Sequence, residues 1–252
     1  MMIHVRDHQG AGAVLSNWLM WQVVSGGIRH WPHPCFLCGA AGRYPHVLCP
    51  PCREGLPQAA SPACPRCGEA LQRSLPCRCC ALLQPAFEDT VAAFAYRYPV
   101  DVLVRRLKYG GVLHLSGMLA SRLIEAVSGQ ALPEVLVAMP LSRRRWRRRG
   151  YNQAWEIASR VAAHYRLPLG RGLERVRETP PQAGLGVVER RDNLIGAFRC
   201  DGTLAGRTVA LVDDVMTSGA NLDAAARALK AAGVRRVSAW VVARTPGPDF
   251  QG

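Results

Sequence analysis

The sequence has no apolar run long enough to cross a bilayer, no low-complexity tract and almost no lysine. Its most apolar N-terminal stretch, AGAVLSNWLMWQVV (residues 11–24), falls short of a transmembrane helix and is broken by Asn17 and Gln22. As a signal peptide it has a weakly basic start and no small-residue cleavage site. Leu15, Trp18, Leu19 and Gln22 fall at helical spacing, which favours an amphipathic helix packed on its own protein over a signal or membrane anchor. Of the 32 basic residues only Lys108 and Lys230 are lysines. The net charge of +14 favours phosphate-bearing partners. So lopsided a use of arginine is also what codon bias produces, which weakens that inference.

The 252 residues bound one medium domain plus a small one, with length enough for a substantial core. Outside residues 35–80, cysteine is nearly absent: Cys200 stands alone and suits a small buried position. Inside that segment the cysteines come as CFLC (Cys35, Cys38), CPPC (Cys49, Cys52), CPRC (Cys64, Cys67) and CRCC (Cys77, Cys80, with Cys79 between). Each C-x-x-C turn presents two thiolates to one metal, and two turns complete a tetrahedral site. Four pairs therefore imply two structural zincs, Cys35/Cys38/Cys49/Cys52 and Cys64/Cys67/Cys77/Cys80. A disulfide framework is the competing reading, disfavoured by the ligand spacing and the lack of a secretion signal. Spacing selects Cys80 over Cys79 as the last ligand. From about Phe87 apolar runs alternate with longer amphipathic stretches, the pattern of an α/β domain with a parallel sheet. The chain is thus expected to divide into an N-terminal amphipathic segment (1–34), a double zinc ribbon (35–85) and an α/β domain (86–252).

Within the last part, RTVALV (207–212) reads as a buried strand that ends in Asp213 and Asp214. Thr217, Ser218 and Gly219 follow, and Leu222, Ala225, Ala226 and Leu229 then recur at helical spacing. Ligands bind at the carboxyl ends of strands in open α/β sheets. A helix N-terminus flanked by small hydroxyls cradles phosphate, while adjacent carboxylates repel phosphate and accept from a vicinal diol. The set suits a ribose 5-phosphate bound along residues 213–220, with its phosphate on Met216, Thr217, Ser218, Gly219 and Ala220, its diol on Asp213 and Asp214, and Val215 between them. VALVDDVMTSGAN resembles the phosphoribosyl-pyrophosphate signature of type I phosphoribosyltransferases; Asn221 stands where that signature often has threonine. A plain helix cap would account for one acid but not for the ordered set.

A second strand–loop–helix unit, EVLVAMPLSRRRWRRRGYNQAWEIASRVA, carries Arg143, Arg144, Arg145, Arg147, Arg148 and Arg149 around Trp146 in its loop. Guanidinium forks there suit pyrophosphate. They also suit a nucleic-acid backbone, with Arg144 and Arg147 on phosphates and Trp146 stacked on a base.

Together with LKYGG (107–111), TPPQAGL (179–185), ERRDNLIGAF (189–198) and the cysteine ribbon, these segments closely resemble the ComF family, which includes the GntX-like proteins. The similarity runs from about Trp18 to Arg244. It implies an α/β type I phosphoribosyltransferase fold, a parallel sheet flanked by helices, preceded by a small zinc-ribbon domain. It further implies phosphoribosyl pyrophosphate bound with Mg²⁺, Asp213 and Asp214 at the catalytic centre, and Arg143, Arg144 and Arg149 on the pyrophosphate. Lys108 is a weaker candidate for the same contact, with an exposed helix-end lysine as the alternative. Residues 177–193, with Gln182 and Asn193, correspond to a flexible loop that covers the site. Some members serve DNA uptake in natural transformation, in the cytoplasm, which adds single-stranded DNA and DNA-uptake proteins as expected partners. No histidine or glutamate stands out as a general base, so the acceptor stays open. So does the choice between a phosphoribosyltransferase and a non-catalytic single-strand-binding module with a regulatory or vestigial phosphoribosyl site.

Overall fold

The computed structural model describes residues 34–42, 44, 47–71, 77–178 and 193–246. The N-terminal amphipathic segment, Gln182 and most of the expected covering loop lie outside them. The chain divides into two compact units at Arg53/Glu54. No helix among the described residues is long and apolar enough to cross a membrane.

In the first unit the Cys35 turn closes on itself: Gly39 N donates to Cys35 O at 2.8 Å and Cys35 N to Ala40 O at 2.8 Å. Gly39 takes a positive φ of 72°, a conformation open to glycine at no steric cost. A short helix, α1 (Pro50–Glu54), follows Cys49. The second unit repeats the device, with Gly68 N on Cys64 O at 2.8 Å and Cys64 N on Glu69 O at 2.7 Å. Helix α2 (Arg78–Leu83) starts from Cys77, whose sulfur accepts from Cys80 N. This second knuckle docks on the α/β part, because Thr90 N donates to Pro65 O at 2.9 Å and Thr90 Oγ1 to Arg66 O at 2.6 Å.

The α/β part runs β1 (Asp89–Ala95), α3 (Val100–Tyr109), α4 (Leu115–Val127), β2 (Val135–Ala138), α5 (Arg143–Arg149), α6 (Gln153–Tyr165), β3 (Leu169–Gly170), β4 (Leu173–Arg175), β5 (Phe198–Cys200), β6 (Thr208–Met216), α7 (Ala220–Ala231) and β7 (Arg236–Arg244). Five strands form one sheet in the order β1-β7-β6-β2-β3. Every pair in it is parallel. Strands β4 and β5 form a separate antiparallel ribbon. The expected parallel sheet flanked by helices is therefore observed. Its central strands are near-continuous apolar runs, as burial on both faces demands: Val209 to Val212 and Val237 to Ala243 are buried except for Ser238. Helices α4 and α6 pack on each other and on the sheet, and α7 packs on β5, β6 and β7.

The chain walks from β1 to β2 to β3 in one direction along the sheet and from β6 to β7 in the other. With right-handed crossovers, opposite directions send the connecting helices to opposite faces. Neighbours β2 and β6 thus form a topological switch point, where a crevice opens beyond the strand ends. Strand β2 is short: its last pair is Ala138 with Val212, while β6 stays paired with β7 as far as Met216 with Arg244. The two acids sit inside this overhang. They were expected just past the strand; the strand runs four residues further because β7 keeps pairing with it.

Arg143–Arg149 was expected as a loop and is a short helix instead. Ser142 caps it, accepting from Arg145 N at 3.4 Å, and Gly150 ends it in the left-handed conformation at φ 77°.

Candidate functional site

The overhang of β6 brings four expected features together. Asp214 is buried and forms an ion pair with Lys108 Nζ at 2.9 Å. Lys108 reaches it from the last turn of α3, so it is not the exposed helix-end lysine of the alternative reading. Burial works to lower the Lys108 pKa. The charge and hydrogen bond of Asp214, with Asp213 and Tyr96 behind them, outweigh burial and leave it raised. Asp213 precedes this pair and accepts from Asp214 N at 2.8 Å. Its desolvation and the neighbouring Asp214 charge push its carboxyl up to about 7, against the opposing pull of Lys108 and Arg145. Asp213 is thus a carboxyl short of positive charge, and a cation beside it would relieve both causes.

Past the acids, Val215 is half-buried, Met216 is buried, and Thr217 and Ser218 reach solvent. Gly219 takes φ +81°, a conformation that strains any other residue, and a Cβ there would also push on the end of the Met216 side chain at 2.7 Å. Ala220 opens α7, and its N–H donates to Ser218 Oγ at 3.4 Å.

The arginines do not act as one patch. Arg149 donates to Gln153 Oε1 at 2.8 Å and to Tyr109 Oη at 3.1 Å, and lies over the Tyr109 ring at 4.8 Å. This ties α5 to the end of α3, next to Lys108, and engages two of its five N–H groups among the described residues. Arg143, Arg144, Arg145, Arg147 and Arg148 are exposed. The main chain at Arg144 donates to Glu178 at 2.8 Å. Arg143, Trp146 and Arg147 line a separate open groove of about 820 Å³ with Trp155, Glu156 and Arg171. None of residues 213–220 lines it. Arg171 stacks over the Trp155 ring at 5.0 Å, and burial pushes the Glu156 carboxyl up against the pull of Arg160.

Two arginines escaped the sequence reading. Arg175, on β4, donates to Asn221 Oδ1 at 3.3 Å and lies 5.3 Å from the Phe198 ring centroid. Burial, with the Arg145 charge beside it, pulls its pKa down to about 10. Its contact gives the unusual Asn221 a role: the amide oxygen receives a guanidinium. No spacing signal marks Arg175. Arg244, at the end of β7, is buried, and a charge closing an apolar strand was its one visible sign. Asn193 is half-buried; its carbonyl accepts from Arg177 Nη2 at 2.7 Å, and its Nδ2 is buried with no partner among the described residues.

The cysteines gather as expected. Cys35, Cys38, Cys49 and Cys52 form one quartet and Cys64, Cys67, Cys77 and Cys80 another, with ligand atoms within 4.8 Å of one another in each. Cys80, not Cys79, completes the second. Four convergent thiols on two knuckle turns match tetrahedral zinc. In the first quartet burial opposes ionisation of Cys35, yet backbone N–H groups of Cys38, Cys49 and Leu37 bring it down to about 6.

Comparison with known proteins agrees with this picture. The family described as double zinc ribbon domain matches residues 30–81. The DNA utilization protein YhgH of Salmonella typhimurium is 33% identical over 228 residues, which cover 85% of this chain and 98% of that protein. Competence protein F of Haemophilus influenzae is 32% identical over 208 residues, 78% of this chain and 90% of its own. Among solved structures, glutamine phosphoribosylpyrophosphate amidotransferase from Bacillus subtilis, complexed with ADP and GMP, has a TM-score of 0.35 at 17% identity. That overlap covers 49% of this chain and 25% of the other. The chain belongs to the ComF family.

Two predictions follow from the geometry. Metal analysis of the reduced protein should give about two zincs per chain, and Cys64→Ser should lower this to about one while Cys79→Ser leaves it unchanged. The second concerns Asp213. Its carboxyl ionises near 3.8 when unfolded and near 7 when folded. Between those values the folded state holds the extra proton, so stability falls as pH rises through the window and the loss persists above it. Asp213→Asn mimics the protonated acid. Its melting temperature should match the parent's below about pH 4, pull ahead as pH rises to about 7 and stay ahead beyond. A difference independent of pH would show that the acid is well solvated.

Proposed function

We propose that the chain is a phosphoribosyltransferase-like ComF protein of DNA uptake, which binds phosphoribosyl pyrophosphate on the β6–α7 segment. One observation carries this reading. At the switch point Asp214 is neutralised by Lys108, while Asp213 is left with its pKa raised, directly ahead of the Thr217–Gly219 turn. A diol-bearing sugar with a phosphate at one end and a cation-bridged pyrophosphate at the other meets those needs together. Asp213 and Asp214 would accept from the ribose hydroxyls. Thr217, Ser218 and the first amides of α7 would take the 5′-phosphate. Arg145, close enough to lower the Asp213 pKa, and the remaining donors of Arg149 would face the pyrophosphate.

The residues fit Mg²⁺, since Asp213 is an under-compensated carboxyl beside a second one; when bound, the ion would neutralise charge on the leaving pyrophosphate. Transfer breaks the bond from C1′ to the pyrophosphate oxygen, which departs with the electron pair. A nitrogenous acceptor then forms the new bond at C1′ and releases its proton. The transition state is oxocarbenium-like, so fixed arginines aimed at the departing oxygens are this chain's contribution.

The test is calorimetric titration with phosphoribosyl pyrophosphate and Mg²⁺, followed by a screen of nitrogenous bases for pyrophosphate release. Asp213→Ala should weaken binding about tenfold or more while the fold survives, because one hydrogen bond to a charged group contributes about 1.5–3 kcal/mol. Equal affinity in parent and variant would remove Asp213 from the diol.

A second reading rests on the groove lined by Arg143, Trp146, Arg147, Trp155 and Arg171. Aromatic faces between guanidinium groups suit single-stranded DNA. Trp146 is 56% exposed and unoccupied by packing, as a stacking platform requires. Single-strand affinity of the parent should then fall steeply with salt, by about 0.7 log units per log salt for each phosphate engaged. Arg143→Ala/Arg147→Ala should flatten that slope by about 1.4, and binding should quench Trp146 fluorescence. Arg144 does not line the groove, and its replacement serves as the control. An unchanged slope in the double variant would take the groove off the DNA surface.

A further inference from the structure

The buried guanidinium of Arg244 links two features that were read separately. Its Nε donates to the carbonyl of Cys67, inside the second cysteine quartet, at 3.1 Å. Its Nη2 pairs with Glu69 Oε2 at 2.7 Å, just past the same knuckle. Its Nη1 donates to the carbonyls of Met216 at 3.4 Å, Thr245 at 2.7 Å and Thr217. Met216 and Thr217 are the residues through which β6 enters the candidate phosphate loop. The side chains of Arg244 and Glu69 are 7% and 15% exposed, so water competes little for these bonds.

The arrangement has a direction. The knuckle holds the backbone on either side of these acceptors, because Gly68 N donates to Cys64 O and Cys64 N to Glu69 O around the turn. Those two acceptors hold the guanidinium, and the guanidinium holds the two carbonyls of the loop. Cys67 and Cys79 also line one small cavity with Met216, Ser218 and Gly219, so the quartet and the loop share a wall. A planar, five-donor fork reaches all these acceptors on both sides at once; an ammonium group offers three donors from a single nitrogen and cannot meet them all. A buried charge is also a poor choice for mere packing, since its desolvation is costly unless every donor is met. The knuckle turn, in turn, is a segment too small to hold its own shape without metal.

We propose that Arg244 is a positioning residue for the phosphate loop, and that zinc in the Cys64/Cys67/Cys77/Cys80 site and a phosphoribosyl ligand on residues 217–220 stabilise each other through it. The proposal rests on the phosphoribosyl reading above for the identity of the ligand, but not for the link itself. Coupling between two sites is reciprocal at equilibrium. If ordering the knuckle orders the loop, then filling the loop must tighten zinc in this quartet and leave the other quartet unaffected.

The experiment uses the full zinc-loaded chain, ribose 5-phosphate as the probe and competition with a chromophoric chelator as the measure of zinc affinity. Cysteine alkylation mapped by mass spectrometry assigns each metal to its quartet. In the parent, saturating ribose 5-phosphate should raise zinc affinity of the second quartet about fivefold or more and leave the first unchanged. Arg244→Lys keeps the charge but cannot span the acceptors. It should lose that enhancement and bind ribose 5-phosphate weaker by a similar factor while the sheet still folds. Should Arg244→Lys fail to fold, Glu69→Gln replaces it, keeping an acceptor while removing the ion pair, with a partial loss expected. A parent that binds ribose 5-phosphate yet shows no change in zinc affinity overturns the proposal, as does a variant that retains the full enhancement. A parent that does not bind ribose 5-phosphate in direct titration defeats the phosphoribosyl reading instead. The link is then judged without ligand: weaker zinc in the second quartet of Arg244→Lys upholds it, and equal affinity overturns it.

Discussion

The arrangement of the site depends on one mismatch of length, the overhang of β6 beyond β2. Pairing with β2 ends at Val212, and pairing with β7 continues to Met216. The overhang frees one edge of the strand where the two acids stand. Both acids then sit in a setting that disfavours charge, and a single lysine is available to offset them. Lys108 takes Asp214, so Asp213 carries the remaining electrostatic cost. Sites that retain such a cost are often sites that recover it on binding. The use of lysine here is itself informative in a chain where nearly every cation is arginine. Lysine presents a compact point charge, suited to one buried oxygen, whereas arginine is a wide fork. The other lysine, Lys230, is half-buried and serves two acceptors, Glu88 and the Arg235 carbonyl.

The cysteine-rich segment is not uniform in its physical attachment. The quartet of Cys64, Cys67, Cys77 and Cys80 belongs to the same compact unit as the sheet, while Cys35 to Cys52 lie in the other unit. Backbone bonds from Thr90 to the Pro65–Arg66 turn, and the Arg244 fork to Cys67 and Glu69, account for this. The second knuckle thus has a direct mechanical route to the candidate ligand loop within its own unit.

Much of this was legible in the sequence because the signals were local. Cysteine spacing alone gave both quartets and preferred Cys80 to Cys79. The apolar run before Asp213 gave the strand, and Leu222, Ala225, Ala226 and Leu229 gave the helix behind the loop. The arginine segment reads as a loop by its charge, yet Ser142 and Gly150 at its ends are ordinary start and stop residues for a helix. Arg175 and Arg244 were invisible for a different reason. Each acts on residues tens of positions away in sequence, Asn221 in one case and Glu69 and Thr217 in the other, and no local pattern encodes such a meeting. Lys108 lay between these cases: its candidacy was visible, but its partner was not.

The helical form of residues 143–149 also resolves why six arginines crowd one place. On a loop they would compete for a single ligand. On a helix, residues three and four apart share a face. Arg143, Trp146 and Arg147 accordingly turn to the groove with Trp155 and Arg171. Arg145 bears on Asp213 and Arg175, and Arg148 and Arg149 lie against Tyr109. About two turns of helix thus divide their charge between two surfaces, one beside the acids of β6 and one beside the tryptophans. A polyanion in the groove and a pyrophosphate at the acids need not compete for the same guanidinium groups. Yet both would pull on one short helix, whose position is set by Arg149 on Tyr109 and Gln153. The surfaces are joined by two routes, that anchor and helix α6, which lines the groove through Trp155 and Glu156 and packs on β6.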